Sequence, residues 1–85
     1  MKSIILYSAD FCGDCRALRS WMDGQGIAYE HRDIRVHPEY AEELEAKTGK
    51  QGVPYLIIDG EWVRGYQPGK PFSEDFARAL FGLSD

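Results

Sequence analysis

Eighty-five residues make one small domain, folding of which buries roughly 60% of the surface of the unfolded chain, with too little material for a second domain or a large cofactor cavity. A formal net charge of −4, with no segment rich in Lys and Arg, argues against a nucleic-acid binder. No apolar run approaches the ~20 residues of a membrane span, and Met1-Lys2-Ser3 lacks the length and cleavage pattern of a secretory signal, so the expected location is cytoplasmic.

In chain order, residues 3–8 read as a strand whose centre, Ile4-Ile5-Leu6-Tyr7, is a continuous apolar run, as in a strand buried on both faces. After Cys12 a helical pattern begins, with Ala17, Leu18, Trp21 and Met22 on one stripe and Arg16, Arg19 and Asp23 toward water. Gly24-Gln25-Gly26 stops it. Residues 27–34 read as a second, more polar strand near the sheet edge, which makes a parallel, right-handed strand–helix–strand unit. Pro38 opens a second helix that buries Tyr40, Ala41 and Leu44 and solvates Glu39, Glu42, Glu43 and Glu45. Residues 53–58 form a third strand, and Asp59-Gly60 turns the chain tightly into a fourth, Glu61-Trp62-Val63-Arg64. After a Gly/Pro loop, Ser73 caps a last helix over residues 74–81, with Phe76, Ala77, Leu80 and Phe81 inward. The expected whole is one α/β domain spanning residues 1–85.

Chemistry concentrates in Phe11-Cys12-Gly13-Asp14-Cys15-Arg16, which holds the only two cysteines. A Cys-x-x-Cys where a strand hands over to a helix places the first sulfur among unpaired backbone N–H groups at the positive end of the helix dipole. The thiolate is the nucleophile, which makes Cys12 the reactive sulfur and Cys15, one turn on, its resolving partner. Asp10 and Asp14 oppose thiolate formation, while Arg16 and the dipole favour it. Such a short loop does little as a structural staple, so the pair reads as a redox site. A tetrahedral zinc site needs four ligands, and His31 and His37 fall on or after the second strand, away from the cysteines. Phe11 and Tyr66 are expected to border the cysteines as an apolar rim for a partner. Trp21 is expected in the core and Trp62 half exposed. Lys50, Gln51 and Arg64 are candidates to meet a substrate's carboxylates.

Three segments, in order and spacing, resemble the glutaredoxin family over most of the chain: Tyr7 through Cys15, Gly52-Val53-Pro54, and Gly65-Tyr66-x-Pro68 after the hairpin. The resemblance implies a thioredoxin-like fold of order β-α-β-α-β-β-α, with a central four-stranded mixed sheet flanked by helices. It implies a cis Pro54 whose neighbour Val53 offers its backbone to an incoming disulfide-bearing chain, with Gly65 and Tyr66 completing the substrate contact. It also implies a dithiol–disulfide oxidoreductase acting on protein disulfides, without a cofactor, as a monomer. Glutathione-using members carry a Lys shortly before the first cysteine, where Ala9 stands here, and an Asp beside a Gly pair after the hairpin, where Gly65-Tyr66-Gln67-Pro68 stands. The segment is closer to the NrdH-type redoxins, electron donors to ribonucleotide reductase recharged by thioredoxin reductase, although the Gly-Asp between the cysteines departs from that branch. The reductant implied is a flavoprotein disulfide reductase, with a low-molecular-weight thiol as the other possibility. An iron–sulfur cluster or metal carrier using the same cysteines is the alternative reading, and a domain that only docks is a third.

Overall fold

Strand β1, Ile4–Ser8, is the central rod on which a computed structural model of residues 3–82 is built. Met1-Lys2 and the last three residues lie outside the described part, so the signal-peptide expectation on Met1-Lys2-Ser3 falls largely outside it. The elements follow as α1 (Gly13–Gly24), β2 (Glu30–Asp33), α2 (Pro38–Thr48), β3 (Tyr55–Ile58), β4 (Glu61–Arg64) and α3 (Glu74–Leu80). The sheet order is β2-β1-β3-β4. β1 pairs parallel with β2 and antiparallel with β3, and β3 pairs antiparallel with β4. The element order, the mixed sheet and the edge position of β2 agree with the reading from sequence.

Strand alternation sorts the core into two layers. Ile4, Leu6 and Leu56 join Leu18, Trp21, Met22, Ala77 and Phe81 beneath α1 and α3. Tyr7 joins Ala9, Ile34, Ala41 and Leu44 beneath α2, with Ile5, Tyr55, Ile57 and Trp62 packed against them. Leu6, Leu18, Met22, Leu44 and Leu56 are wholly buried, and truncating such a residue to Ala typically costs 2–5 kcal/mol.

β1 begins one residue later than expected, at Ile4, and three further elements differ in their bounds. β2 is four residues rather than residues 27–34, because the chain leaving α1 first closes a turn in which Ile27 N–H donates to Met22 O. β3 begins at Tyr55 rather than residue 53: Tyr55 pairs with both Tyr7 and Arg64, whereas Val53 and Pro54 precede the ladder. α3 ends at Leu80, with Phe81 as its C-cap. Phe76 and Leu80 are half-buried, not fully inward.

Local chemistry explains the ends. Asp59 and Gly60 both adopt positive φ (52° and 86°), the requirement of the tightest hairpin turn. Ser73 Oγ accepts the Phe76 N–H at 3.1 Å and starts α3. Pro38 sits in the first turn of α2, and Gly49, at φ 83°, caps its end by donating to Glu45 O. The acidic face of α2 is not wholly given to solvent. Glu43 accepts from the hydroxyl of buried Tyr7 at 3.0 Å and from Arg32 at 3.1 Å, and so ties α2 to β1 and β2.

Candidate active site

The site is built where β1 hands over to α1. Cys12 is the N-cap of α1, in extended conformation (φ −92°, ψ 114°), and its N–H donates to Ala9 O at 3.1 Å. At an N-cap a side-chain oxygen usually accepts a free N–H of the first turn. Here the Cys12 Sγ does so, accepting the Cys15 N–H at 3.2 Å. That donor and the helix dipole act on a sulfur that is half-buried and open on one side. Across the site, the Cys12 thiol donates to Val53 O at 3.6 Å.

Cys15 lies one turn further in and is 1% exposed. Burial first, then the side-chain hydrogen bond with Cys12, pushes its thiol well above the ordinary range, against the opposing Ala9 backbone contact. The two sulfurs therefore sit in opposite environments: one open and fed by an N–H, the other sealed and held neutral.

The wall opposite comes from distant sequence. The Val53–Pro54 peptide bond is cis, and Pro54 is fully buried. Pro54 O accepts the Gly65 N–H at 3.0 Å, which joins the segment before β3 to the loop after β4. Gly65 is glycine for want of space: a Cβ there would stand 2.7 Å from Leu56 Cδ1 and 3.0 Å from Pro54 O. Tyr66 folds over Gly52, where a Cβ would meet its hydroxyl at 2.7 Å. The structure thus brings Cys12, Val53, Pro54, Gly65 and Tyr66 into one connected set.

Phe11 stands apart from Tyr66. Its ring is 68% exposed, lies 5.1 Å from the Arg35 guanidinium, and lines a depression of about 240 Å³ with Asp10, Asp33 and Val36. Tyr66 lines a different one with Tyr55 and Arg64. Instead of a single rim, the accessible sulfur has an apolar flank toward the β2–α2 loop and an aromatic, basic flank toward β4.

Sequence reasoning missed the support behind this end of the sheet. Buried Ser8 shares a hydrogen bond between its Oγ and His31 Nε2. His31 is held below its usual range by burial and by Arg19. Asp33 caps the β2–α2 loop, accepting the Arg35 N–H at 2.8 Å and the Val36 N–H at 3.1 Å. These two contacts hold its carboxyl below the usual range although burial works the other way. The pairing follows from the register, which sets Leu6 against His31 and Ser8 against Asp33 in the parallel pair. His31 is therefore engaged beside the redox loop's supporting strand, closer than its place in the sequence suggests. Among the described residues, no three His, Cys, Asp or Glu side chains are grouped to hold a metal ion, and no helix is long and apolar enough to cross a membrane.

A mixed four-stranded sheet, a Cys-x-x-Cys opening the helix after its first strand, and the Val53 carbonyl against the first sulfur define the thioredoxin-like class. Within it, the glutaredoxin family model matches residues 4–63, and the chain belongs to that family. Among its relatives is the Glutaredoxin-like protein NrdH of Lactococcus lactis subsp. lactis, 24% identical over 67 residues that cover 79% of this chain and 92% of the relative. Glutaredoxin 3 of Escherichia coli strain K12 is 22% identical over 65 residues, covering 76% and 78% respectively. The glutaredoxin from Archaeoglobus fulgidus superposes with a TM-score of 0.70 at 19% identity, over 95% of this chain and 87% of that one, a likeness of fold alone. The chain is accordingly a thiol–disulfide oxidoreductase of glutaredoxin type.

Proposed function

We propose that Cys12 and Cys15 are the redox pair of a dithiol carrier that reduces protein disulfides. The contrast between a half-open Cys12 and a Cys15 that is 1% exposed carries this reading. The Cys12 thiolate attacks one sulfur of the substrate disulfide, and the other leaves as a thiolate that takes up a proton. Cys15, kept neutral while Cys12 is free, then gives up its proton and attacks Cys12 Sγ. The reduced substrate leaves and the Cys12–Cys15 disulfide remains. In all, two electrons pass from the pair to the substrate, with one proton from Cys15 and one from solvent. Val53, Pro54, Gly65 and Tyr66 receive the substrate backbone beside Cys12, and Phe11 provides an apolar contact on the other flank. The protein works as a monomer in the cytoplasm.

The pair is recharged by a flavoprotein disulfide reductase rather than by glutathione. Support comes from Ala9, which is buried where a cationic handle would be needed, and from Gly65-Tyr66-Gln67-Pro68, which offers no carboxylate. Two charge-assisted contacts of roughly 1.5–3 kcal/mol each are thereby missing, which weakens glutathione about a hundredfold or more. The test offers the oxidised protein NADPH with thioredoxin reductase and, separately, NADPH with glutathione and glutathione reductase. The expected result is turnover with the first system and little with the second; the reverse pattern overturns the choice of reductant. Failure to reduce any protein disulfide from the pre-reduced state overturns the redox role itself.

A further inference from the structure

On the β4 side of the site the surface changes character. Tyr55, Arg64, Tyr66, Lys70 and Phe76 line a depression of about 520 Å³ between β3, β4, the following loop and α3. It continues, through the shared Tyr55, Arg64 and Tyr66, into a smaller depression of about 90 Å³ that reaches Lys50 and Gly52. The groove ends at Gly52, one residue before Val53, whose carbonyl accepts from the Cys12 thiol. Its floor is aromatic and its side-chain charges are three cations.

The charge is uncompensated. Three arginines elsewhere are paired, Arg19 with Asp10, Arg32 with Glu30 and Glu43, and Arg78 with Glu74 and Asp75, while Arg35 lies over the Phe11 ring. Among the described residues, Lys50, Arg64 and Lys70 have no carboxylate within ion-pair distance, and Arg64 instead lies 5.5 Å from the Tyr66 ring centroid. The acids nearest in sequence, Glu74 and Asp75, are turned to Arg78, and Glu61 stands at the far end of β4 against Ile58. In a chain of net charge −4, three free cations along one aromatic groove form a local reversal of sign. Exposed charges within about 8 Å of a ligand still act at physiological salt, and a complementary patch raises association rates as well as affinity.

We infer that this groove receives an extended, acidic peptide segment flanking the disulfide of the substrate protein, and so selects acidic substrates for the Cys12 site. The inference rests on the redox reading above and specifies its substrate class. Aromatic rings bordered by cations also stack single-stranded nucleic acid; the end of the groove one residue from the Cys12–Val53 contact favours a peptide that presents a disulfide.

Binding is tested apart from chemistry. Fluorescent peptides of one sequence, with the cysteines replaced by serine and flanked by Glu-Glu, Gln-Gln or Lys-Lys, are titrated by anisotropy against the full chain at low and high salt. The Glu peptide is expected to bind about tenfold tighter than the Gln peptide at low salt, with the preference fading in high salt. Arg64→Gln with Lys70→Gln should cut it below about threefold, while Lys47→Gln on α2 leaves it intact. Equal binding of the three peptides overturns the inference, as does an oligothymidylate that binds tighter than the Glu peptide. The disulfide-bearing peptides are then offered as substrates: reduction of all three at equal rates overturns the substrate selection alone, and reduction of none overturns the redox reading while the binding data still decide the groove.

Discussion

The front and back of the redox loop are three residues apart in sequence and opposite in physical character. At the front, Phe11 is largely exposed and Cys12 is half open, and nearby Tyr66 lies over Gly52. At the back, Cys15, Ala9, Ser8 and Pro54 are each at most 2% exposed and meet packed leucines and fixed carbonyls. Packing thereby gives the two thiols an open and a sealed environment. Exposure at the front is inexpensive for the fold, because the back carries the packed contacts.

The most severe break of that contrast exchanges the sulfurs for oxygen. Cys12→Ser should reduce turnover to background. Cys15→Ser should instead retain the first attack and accumulate a mixed disulfide on Cys12, seen as a mass increase that dithiothreitol removes. Iodoacetamide near pH 7 should label Cys12 ahead of Cys15 in peptide mass maps; preferential labelling of Cys15 would reverse the roles of front and back.

Next in size, a methyl group added at the back should cost far more than one added at the front. Gly65→Ala drives its Cβ into Leu56 and the Pro54 carbonyl, overpacking worth about 1–3 kcal/mol by urea denaturation. Gly52→Ala meets only the far end of Tyr66, which swings away, so stability should stay within about 0.5 kcal/mol. Turnover should fall all the same, because the Tyr66 wall moves. Similar losses of stability at the two glycines would show that the front is as rigid as the back.

The sealed state of Cys15 has a pH signature. Its folded thiol titrates above the unfolded one, so its contribution is fully present below the unfolded value of about 8.5 and is lost as pH rises toward the folded one. Above about pH 8.5 the unfolded chain binds fewer protons than the native one. Stability of the reduced protein should therefore fall there, by up to ~1.4 kcal/mol per pH unit from this group. Cys15→Ser should remove that part of the slope. The smallest effect belongs to Phe11→Ala, expected to change stability by less than about 0.5 kcal/mol while slowing reduction of a protein substrate.

Periodicity and turn chemistry made most of the fold legible, because strong local signals agreed with tertiary packing: the Ile4-Ile5-Leu6-Tyr7 run, Pro38, Asp59-Gly60 and Ser73 all lie where their chemistry demands. The cysteine pair was legible for the same reason, as a motif at a strand-to-helix junction. Contacts that depend on register were hidden. Glu43 reads as one of several solvated glutamates until β1 and β2 bring Tyr7 and Arg32 beneath it. The Ser8–His31 pair exists only once two strands lie side by side. Lys50 and Arg64 stood out in sequence as basic residues, but Lys70 joins them only through the loop after β4.

One clasp at the other end of the sheet has a practical meaning. Ser3 N–H donates to Asp59 Oδ1 at 2.7 Å, and Asp59 N–H returns a bond to Ser3 O at 2.8 Å, which pins the start of β1 to the hairpin tip. From there β1 runs its five residues, about 17 Å, toward Cys12. Phe81 stacks on Trp21, about 12 Å along α1 from the helix start at Gly13, so it too belongs to the remote pole. A surface linker, affinity handle or fused domain attached beyond Ser3 or beyond Gly82 would hang the molecule by that pole and leave its sulfur face pointing outward. The protein is thus oriented for display on a sensor chip or electrode without redesign of the site.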